Sequence, residues 1–379
     1  MRGTAASDNQ WIVRFEPVAI LLAVFIAAAS AQTPSSLREA AARNNLAIQR
    51  MQEGRNEEAE ALYRGALEAA RNDDVASAKI ANNLGELYRR LDRYPDAERM
   101  FRAALEWRQK ALPASSLEVA DSLNNLGEIY RVEGRDWEAR NLMEAAARKL
   151  DQYHPGSPDD AIVQGNLAVV VCRFGEFDRA EELLRSALLS YQRRHATSTR
   201  EYAIALLNLA EILKTKKEFQ AALPLYDQAV GIFENMAPAG RTDLAGTLAN
   251  QGELFDRLGR RDEARQTEQR ALQLLRPDGD ALLRSRILRN LGNIVAGGSK
   301  PADSAPYFEQ SLMLEEKTLG DQHPEAAGIL LDYASATQKA GNKSLARKLR
   351  RRAQELIAHL HDLSLQQMTV SLRDLGENK

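Results

Sequence analysis

The chain has 379 residues, with 51 Lys and Arg against 53 Asp and Glu, a net charge of −2. That balance excludes the basic excess on which a nucleic-acid-tracking surface depends. A single cysteine, Cys172, excludes an intrachain disulfide, and a composition rich in Ala, Leu, Glu and Arg but poor in aromatics points to helices rather than strands.

The first predicted element is a leader. Val18 to Ala29 is an apolar run preceded by Arg2 and Arg14 and followed by Ala29-Ser30-Ala31, a small-x-small cleavage site before Gln32. The run is shorter than the roughly 20 residues of a membrane-crossing helix. Asp8 and Glu16 are unusual in the segment that precedes it. The expectation is a signal peptide over residues 1–31, a short linker over 32–37 and a mature chain exported to the periplasm or the extracellular space, with no membrane span after cleavage. An export leader on a chain without a disulfide suits a bacterial envelope.

From residue 38 a repeating frame of about 42 residues takes over. An Asn, a Leu-like residue and a small residue are followed twelve positions later by a second small residue: Asn83-Leu84-Gly85 with Ala97, Asn125-Leu126-Gly127 with Ala139, Asn166-Leu167-Ala168 with Ala180, and Asn208-Leu209-Ala210 with Ala222. Weaker copies stand at Asn45/Ala47/Ala59, Asn250/Gly252/Ala264, Asn290/Gly292/Ser304 and Asp332/Ala334/Ala346. Within a copy the apolar residues recur at helical spacing, as in Leu84, Leu87, Tyr88 and Leu91, then Met100, Phe101, Ala104 and Leu105. Each copy is therefore predicted to be two amphipathic helices, A and B, broken in the second copy at Asp92-Arg93-Tyr94-Pro95 with Pro near the start of helix B. The small residues let the two backbones approach closely where A crosses B. Gly297-Gly298 loosens the seventh turn, and Arg50 replaces the aromatic of the first copy. Beyond the array, over 38–361, a capping helix and tail are expected over 362–379, with Leu365, Met368, Leu372 and Leu375 on one face behind Ser364.

These residues resemble the tetratricopeptide repeat, and more narrowly the variety found in kinesin light chains. The resemblance rests on Leu-Asn-Asn-Leu-Gly-x-x-Tyr at Leu123 to Tyr130 with a near copy at Ala81 to Tyr88, on the Pro two residues after the anchor at Pro224 and Pro306, and on the loop Leu319 to Glu325 with its echo at His154-Pro155. It implies an all-α, right-handed α-solenoid of about eight helix-turn-helix units and a peptide-binding mode, but not cargo transport.

No constellation for chemistry accompanies the repeats. His359 and His361 stand two apart, the other histidines fall in loops, and there is no metal-ligand spacing, phosphate loop or nucleophile elbow. Neither a catalytic role, nor a metal, nor a cofactor is expected. Cys172 reads as a filler of helix packing, and the basic run Arg347 to Arg352 as a solvated helix face.

The repeated amide is the more specific signal, because packing explains Leu and Gly but not Asn. In tetratricopeptide repeats that position faces the concave groove. Asn83, Asn125, Asn166, Asn208, Asn250 and Asn290, with Asn45 and Asp332, are thus expected to form a ladder of donors and acceptors for the backbone of an extended peptide. The alternative is that each amide bonds a neighbouring helix and fixes repeat curvature. Glu86 with Arg90 and Glu253 with Arg257 stand four apart and can pair with each other. The positive excess of repeats two and three, Arg89, Arg90 and Arg131, favours an acidic or C-terminal-carboxylate ligand. The sequence is accordingly read as an exported adaptor or scaffold that binds segments of partner proteins, with a self-assembling envelope element, a homo-oligomer, as the alternative.

Overall fold

The computed structural model describes residues 34–358 except 239, 277 and 278. The expected leader and cleavage site, the capping helix at 364–375, and His359 and His361 lie outside the described residues. Helices alternate along the chain: α1 (Ser35–Gln52), α2 (Asn56–Ala70), α3 (Asp74–Arg90), α4 (Tyr94–Ala111), α5 (Leu117–Val132), α6 (Asp136–Tyr153), α7 (Pro158–Arg173), α8 (Phe177–Arg193), α9 (Arg200–Thr215), α10 (Phe219–Asn235), α11 (Arg241–Arg257), α12 (Arg261–Leu274), α13 (Ala281–Ala296), α14 (Ala305–Leu319), α15 (Pro324–Lys339) and α16 over 343–358. Odd numbers are the A helices of repeats one to eight and even numbers the B helices. The fold is an all-α solenoid of eight helix pairs, with no strand among the described residues. Its contacts divide into two compact units, Met1–Pro155 with repeats one to three and Gly156–Lys379 with repeats four to eight. Helix α1 begins at Ser35, so part of the expected 32–37 linker is helical.

One steric arrangement builds the pairs of repeats one to seven. The eight small anchors of the B helices, Ala59, Ala97, Ala139, Ala180, Ala222, Ala264, Ser304 and Ala346, are all at 1% exposure or less. Four residues on, one helical turn, a large side chain points at the small residue of helix A. A Cβ on Gly85 would fall 2.9 Å from the Phe101 ring, and one on Gly292 the same distance from Phe308. Full burial of such a side chain contributes about 1.5–3 kcal/mol. The eighth pair departs, since Arg350 at this place is exposed.

The A-to-B turns are equally uniform. Five residues before the anchor the chain enters the left-handed region, at Gly54, Gly134, Gly175, Gly259 and Gly341 with φ between 74° and 87°, and at Asp92 and Lys217 with φ of 55° and 65°. The next N–H then reaches back across the helix end, as from Arg135 to the Tyr130 carbonyl at 2.8 Å, which satisfies an orphan carbonyl. Repeat seven lacks this turn: after Gly297 and Gly298 a 3₁₀ segment, Pro301–Ser304, leads into α14. The Gly-Gly pair thus marks a different connection.

Neighbouring repeats of the first unit are joined by a recurring clamp. Arg93 lies 4.3 Å over the Tyr88 ring and bonds Glu60 at 2.7 Å, while the Tyr88 hydroxyl donates to Glu60 at 2.9 Å. One repeat later Arg135 lies 3.7 Å over Tyr130 and bonds Glu98 at 3.1 Å. Opposing pulls settle the acids: burial raises Glu60 and Glu98, but hydrogen bonds from Tyr88, Arg93 and Arg64, and from Arg102 and Arg135, outweigh it and hold both low.

The packing predicts opposite outcomes for two helical glycines. Gly85→Leu should destabilise the protein by about 1–3 kcal/mol through overpacking on Phe101. Gly231→Ala in α10, where a Cβ would meet nothing within 4 Å, should stabilise it by about 0.5–1 kcal/mol. Urea denaturation of each variant measures both, and equal effects would contradict the account.

Candidate functional site

Within each unit the A helices of neighbouring repeats meet, α1 with α3 in the first and α7 with α9, α9 with α11, α11 with α13 and α13 with α15 in the second, and the repeated amides lie along them. Asn83, Asn125, Asn166, Asn208, Asn250 and Asn290 are all half-buried. Within the first unit the amides are chained from repeat to repeat. Asn83 Nδ2 donates to Asn44 Oδ1 at 3.0 Å, and Asn125 Nδ2 donates to Asn82 Oδ1 at 3.1 Å and to Asp121 at 3.3 Å. The acceptor is in each case the residue just before the repeated Asn of the preceding repeat. The same register returns in the second unit, where Arg289 Nε donates to Asp332 Oδ2 at 2.6 Å.

Between these links the register partner is lost. The residues standing opposite Asn208, Asn250 and Asn290 are Gly165, Leu207 and Ala249, none of which has a polar side chain. Asn208 and Asn250 make no side-chain hydrogen bond to another described residue. Asn208 instead borders a hollow of 190 Å³ with Val169, Cys172, Ile212 and Thr215. Asn290 turns to helix B and donates to Glu268 Oε1 at 2.8 Å.

Arg89 and Arg131, the expected carboxylate binders, already hold carboxylates of their own helices. Arg89 grips Glu86 with Nε at 2.7 Å and an Nη at 2.8 Å, and Arg131 grips Glu128 at 3.1 and 3.2 Å. Arg90 also reaches Glu86, at 3.0 Å, and Arg257 reaches Glu253 at 2.7 Å, as four-residue spacing requires. Burial raises the Glu86 carboxyl, yet Arg89 and Arg90 hold it below its usual range.

In the second unit α11, α13 and α15 border a polar cleft of 490 Å³. Arg286, Arg289, Asn290 and Asn293 of α13 face Glu253 and Arg257 of α11 and Asp332 of α15 across it. Asn293 Nδ2 and Arg289 both bond Asp332 Oδ2, while Arg286 is exposed and has no ion-pair partner among the described residues. Lys214 of α9, 9% exposed, ties repeat five to repeat six by contacting Glu211 and Glu253, each at 2.9 Å. Sequence reasoning missed two members of this region, Glu268 and the cleft's Arg286. Glu268 was signalled by its place four residues after Ala264, where repeats one to five and seven carry a large apolar or aromatic residue.

The remaining sequence features carry no site. Burial pushes the Cys172 thiol up, the reverse of an activated nucleophile. Among the described residues no group of three or more His, Cys, Asp and Glu is placed to hold a metal ion, and no helix is long and apolar enough to cross a membrane. In the basic run Arg350 bonds Gln338 and Arg352 bonds Glu316, on an outward face. His154 is built into its loop, with Nε2 2.6 Å from the Ser115 carbonyl.

The family model described as tetratricopeptide repeat matches residues 76–152 and 159–235. The protein KINESIN LIGHT CHAIN-RELATED 3 of Arabidopsis thaliana is 25% identical over 186 residues, which is 48% of this chain and 28% of that protein, so the chain spans under a third of its relative. The apo quorum sensor NprR from B. thuringiensis superposes with a TM-score of 0.65 at 13% identity, covering 90% of this chain and 93% of that one. A Rap protein solved in complex with Competence and Sporulation Factor gives a TM-score of 0.55 at 14% identity over 86% and 99%. The chain carries a tetratricopeptide-like repeat fold, similar over about half of its length to a protein related to kinesin light chains.

The amide links predict a contrast in stability. In a double-mutant cycle of Asn82→Ala and Asn125→Ala the two should couple by about 0.5–1.5 kcal/mol, whereas Asn208→Ala should change stability by less than about 0.5 kcal/mol. Additive losses at Asn82 and Asn125 would show that the link contributes nothing.

Proposed function

We propose that this protein is an exported, non-catalytic adaptor or scaffold that binds extended segments of partner proteins along the face of its A helices. The observation that carries the reading is the pair of unengaged amides, Asn208 and Asn250, held half-buried on a rigid helical face with no register partner. An amide left in that state offers two donors and an acceptor to a peptide backbone, whatever the peptide's side chains. Asn83 adds what its inter-repeat bond leaves, a second amide hydrogen and the carbonyl oxygen, Asn125, whose amide hydrogens are taken by Asn82 and Asp121, adds its carbonyl oxygen, and Asn166 and Asn290 belong to the same frame. An acidic segment would exchange with Glu86 and Glu128 for Arg89 and Arg131. A relative of this fold solved with a bound factor is consistent with a binding role. Export rests on the apolar run from Val18 and the Ala29-Ser30-Ala31 site, and a bacterial envelope is the compartment proposed.

Capture from the native envelope fraction tests the binding claim. A partner retained by the wild-type protein should be held roughly thirtyfold more weakly by Asn208→Ala/Asn250→Ala, the loss of two hydrogen bonds of about 1 kcal/mol each, and an acidic partner more weakly by Arg89→Glu/Arg131→Glu. Undiminished binding by the amide variant, folded by circular dichroism, would refute the groove as the site. N-terminal sequencing of the mature protein is expected to begin at Gln32; an intact Met1 would remove export from the proposal.

A further inference from the structure

Repeat six breaks its own frame at one buried position. Four residues after the anchor, the B helices of repeats one to five and seven place Tyr63, Phe101, Met143, Leu184, Tyr226 and Phe308, and repeat eight an exposed Arg350, but α12 places Glu268, with no exposed surface. The carboxyl lies directly beneath α11, since a Cβ on Gly252 would fall 2.8 Å from both its Cγ and its Oε1. Oε1 accepts the hydrogen bond from Asn290, and Oε2 has no partner. Burial pushes this acid far above the usual carboxylate range. Three charged groups face it from the helices around it: Arg286 of α13 and Lys214 of α9 favour the anion, and Glu253 of α11 opposes it. Lys214 is already shared between Glu211 and Glu253, so Arg286 is the uncommitted cation.

We infer that Glu268 is a proton switch for the adjoining cleft: as a neutral acid it fixes the Asn290 amide at the cleft wall and leaves Arg286 to an acidic peptide segment, and as a carboxylate it competes for Arg286. A buried carboxylate is tolerated only when a cation compensates it, and Arg286 stands one helical turn before Asn290 on the same helix. The cleft therefore receives an anionic ligand best when Glu268 is protonated. The sign for stability follows. The folded chain retains a proton that the unfolded chain loses near pH 4.3, roughly. Stability is complete below that pH and declines as pH rises toward the raised folded value. The ligand half rests on the groove reading proposed above, whereas stability and the amide signal are read on the unliganded protein, so the two fail separately.

The test compares the full chain with Glu268→Gln, a permanently neutral isostere that keeps the acceptor, and with Glu268→Met, the side chain repeat three uses at this position. Melting temperature and the Asn290 side-chain amide signal are followed from about pH 5 to about pH 9, with polyglutamate as the anionic probe. The wild-type melting temperature should fall with rising pH relative to Glu268→Gln. Glu268→Met should fold but shift the Asn290 signal, and polyglutamate should bind the wild type several-fold more weakly at high pH while Glu268→Gln binds evenly. Parallel melting profiles of wild type and Glu268→Gln would overturn the switch. An Asn290 signal unchanged in Glu268→Met would overturn the positioning role. Absence of polyglutamate binding at every pH would overturn the ligand half alone.

Discussion

The close crossing of helices A and B is the constraint on which the rest depends. A small residue on each helix brings the backbones together, and the large side chain one turn past the B anchor fills the space above the A-helix Gly or Ala. Interiors packed at this density do not tolerate an added methylene without movement. The crossing therefore recurs almost unchanged from repeat to repeat. Because it recurs, equivalent positions of successive A helices within a unit meet in a common register, and side chains from different repeats can bond one another.

That register divides the amides by what stands opposite them. Where the preceding repeat supplies Asn44 or Asn82, the amide is consumed in an architectural link. Where it supplies Gly165 or Leu207, the amide stays open on the surface of a helix that packing has already made rigid. A preorganised donor and acceptor cost a ligand little ordering of the protein, which is how modest contacts add up to useful affinity. The arginines follow a similar division. Arg89 and Arg131 are satisfied within their own helices, while Arg286, in a cleft whose other arginines, Arg257 and Arg289, are paired, is the cation left to act.

Much of this was legible in the sequence. The period, the small anchors, the helix pairs and the turn at Asp92 to Pro95 appear where residue spacing placed them, because each is fixed by sterics within one repeat. The i,i+4 pairs Glu86 with Arg90 and Glu253 with Arg257 also form. The partners of the amides were harder to read. The Asn-Asn doublets at 44–45, 82–83 and 124–125 are plain in the sequence, but which Asn meets which depends on a register between repeats that periodicity alone does not define. The tighter i,i+3 grip of Arg89 on Glu86 depends in turn on rotamers that spacing leaves open. Glu268 was visible as a polar residue in an apolar frame position, yet its meaning required the depth of its burial and the direction of Asn290.

The most direct measurement is hydrogen exchange of the asparagine side-chain amides in the ¹⁵N-labelled, unliganded protein. Asn83 and Asn125, bonded across repeats, should exchange slowly, and Asn208 and Asn250 should exchange at the rate of solvent-accessible amides. Equal protection at all four positions would contradict the division between linking and open amides on which the functional account stands.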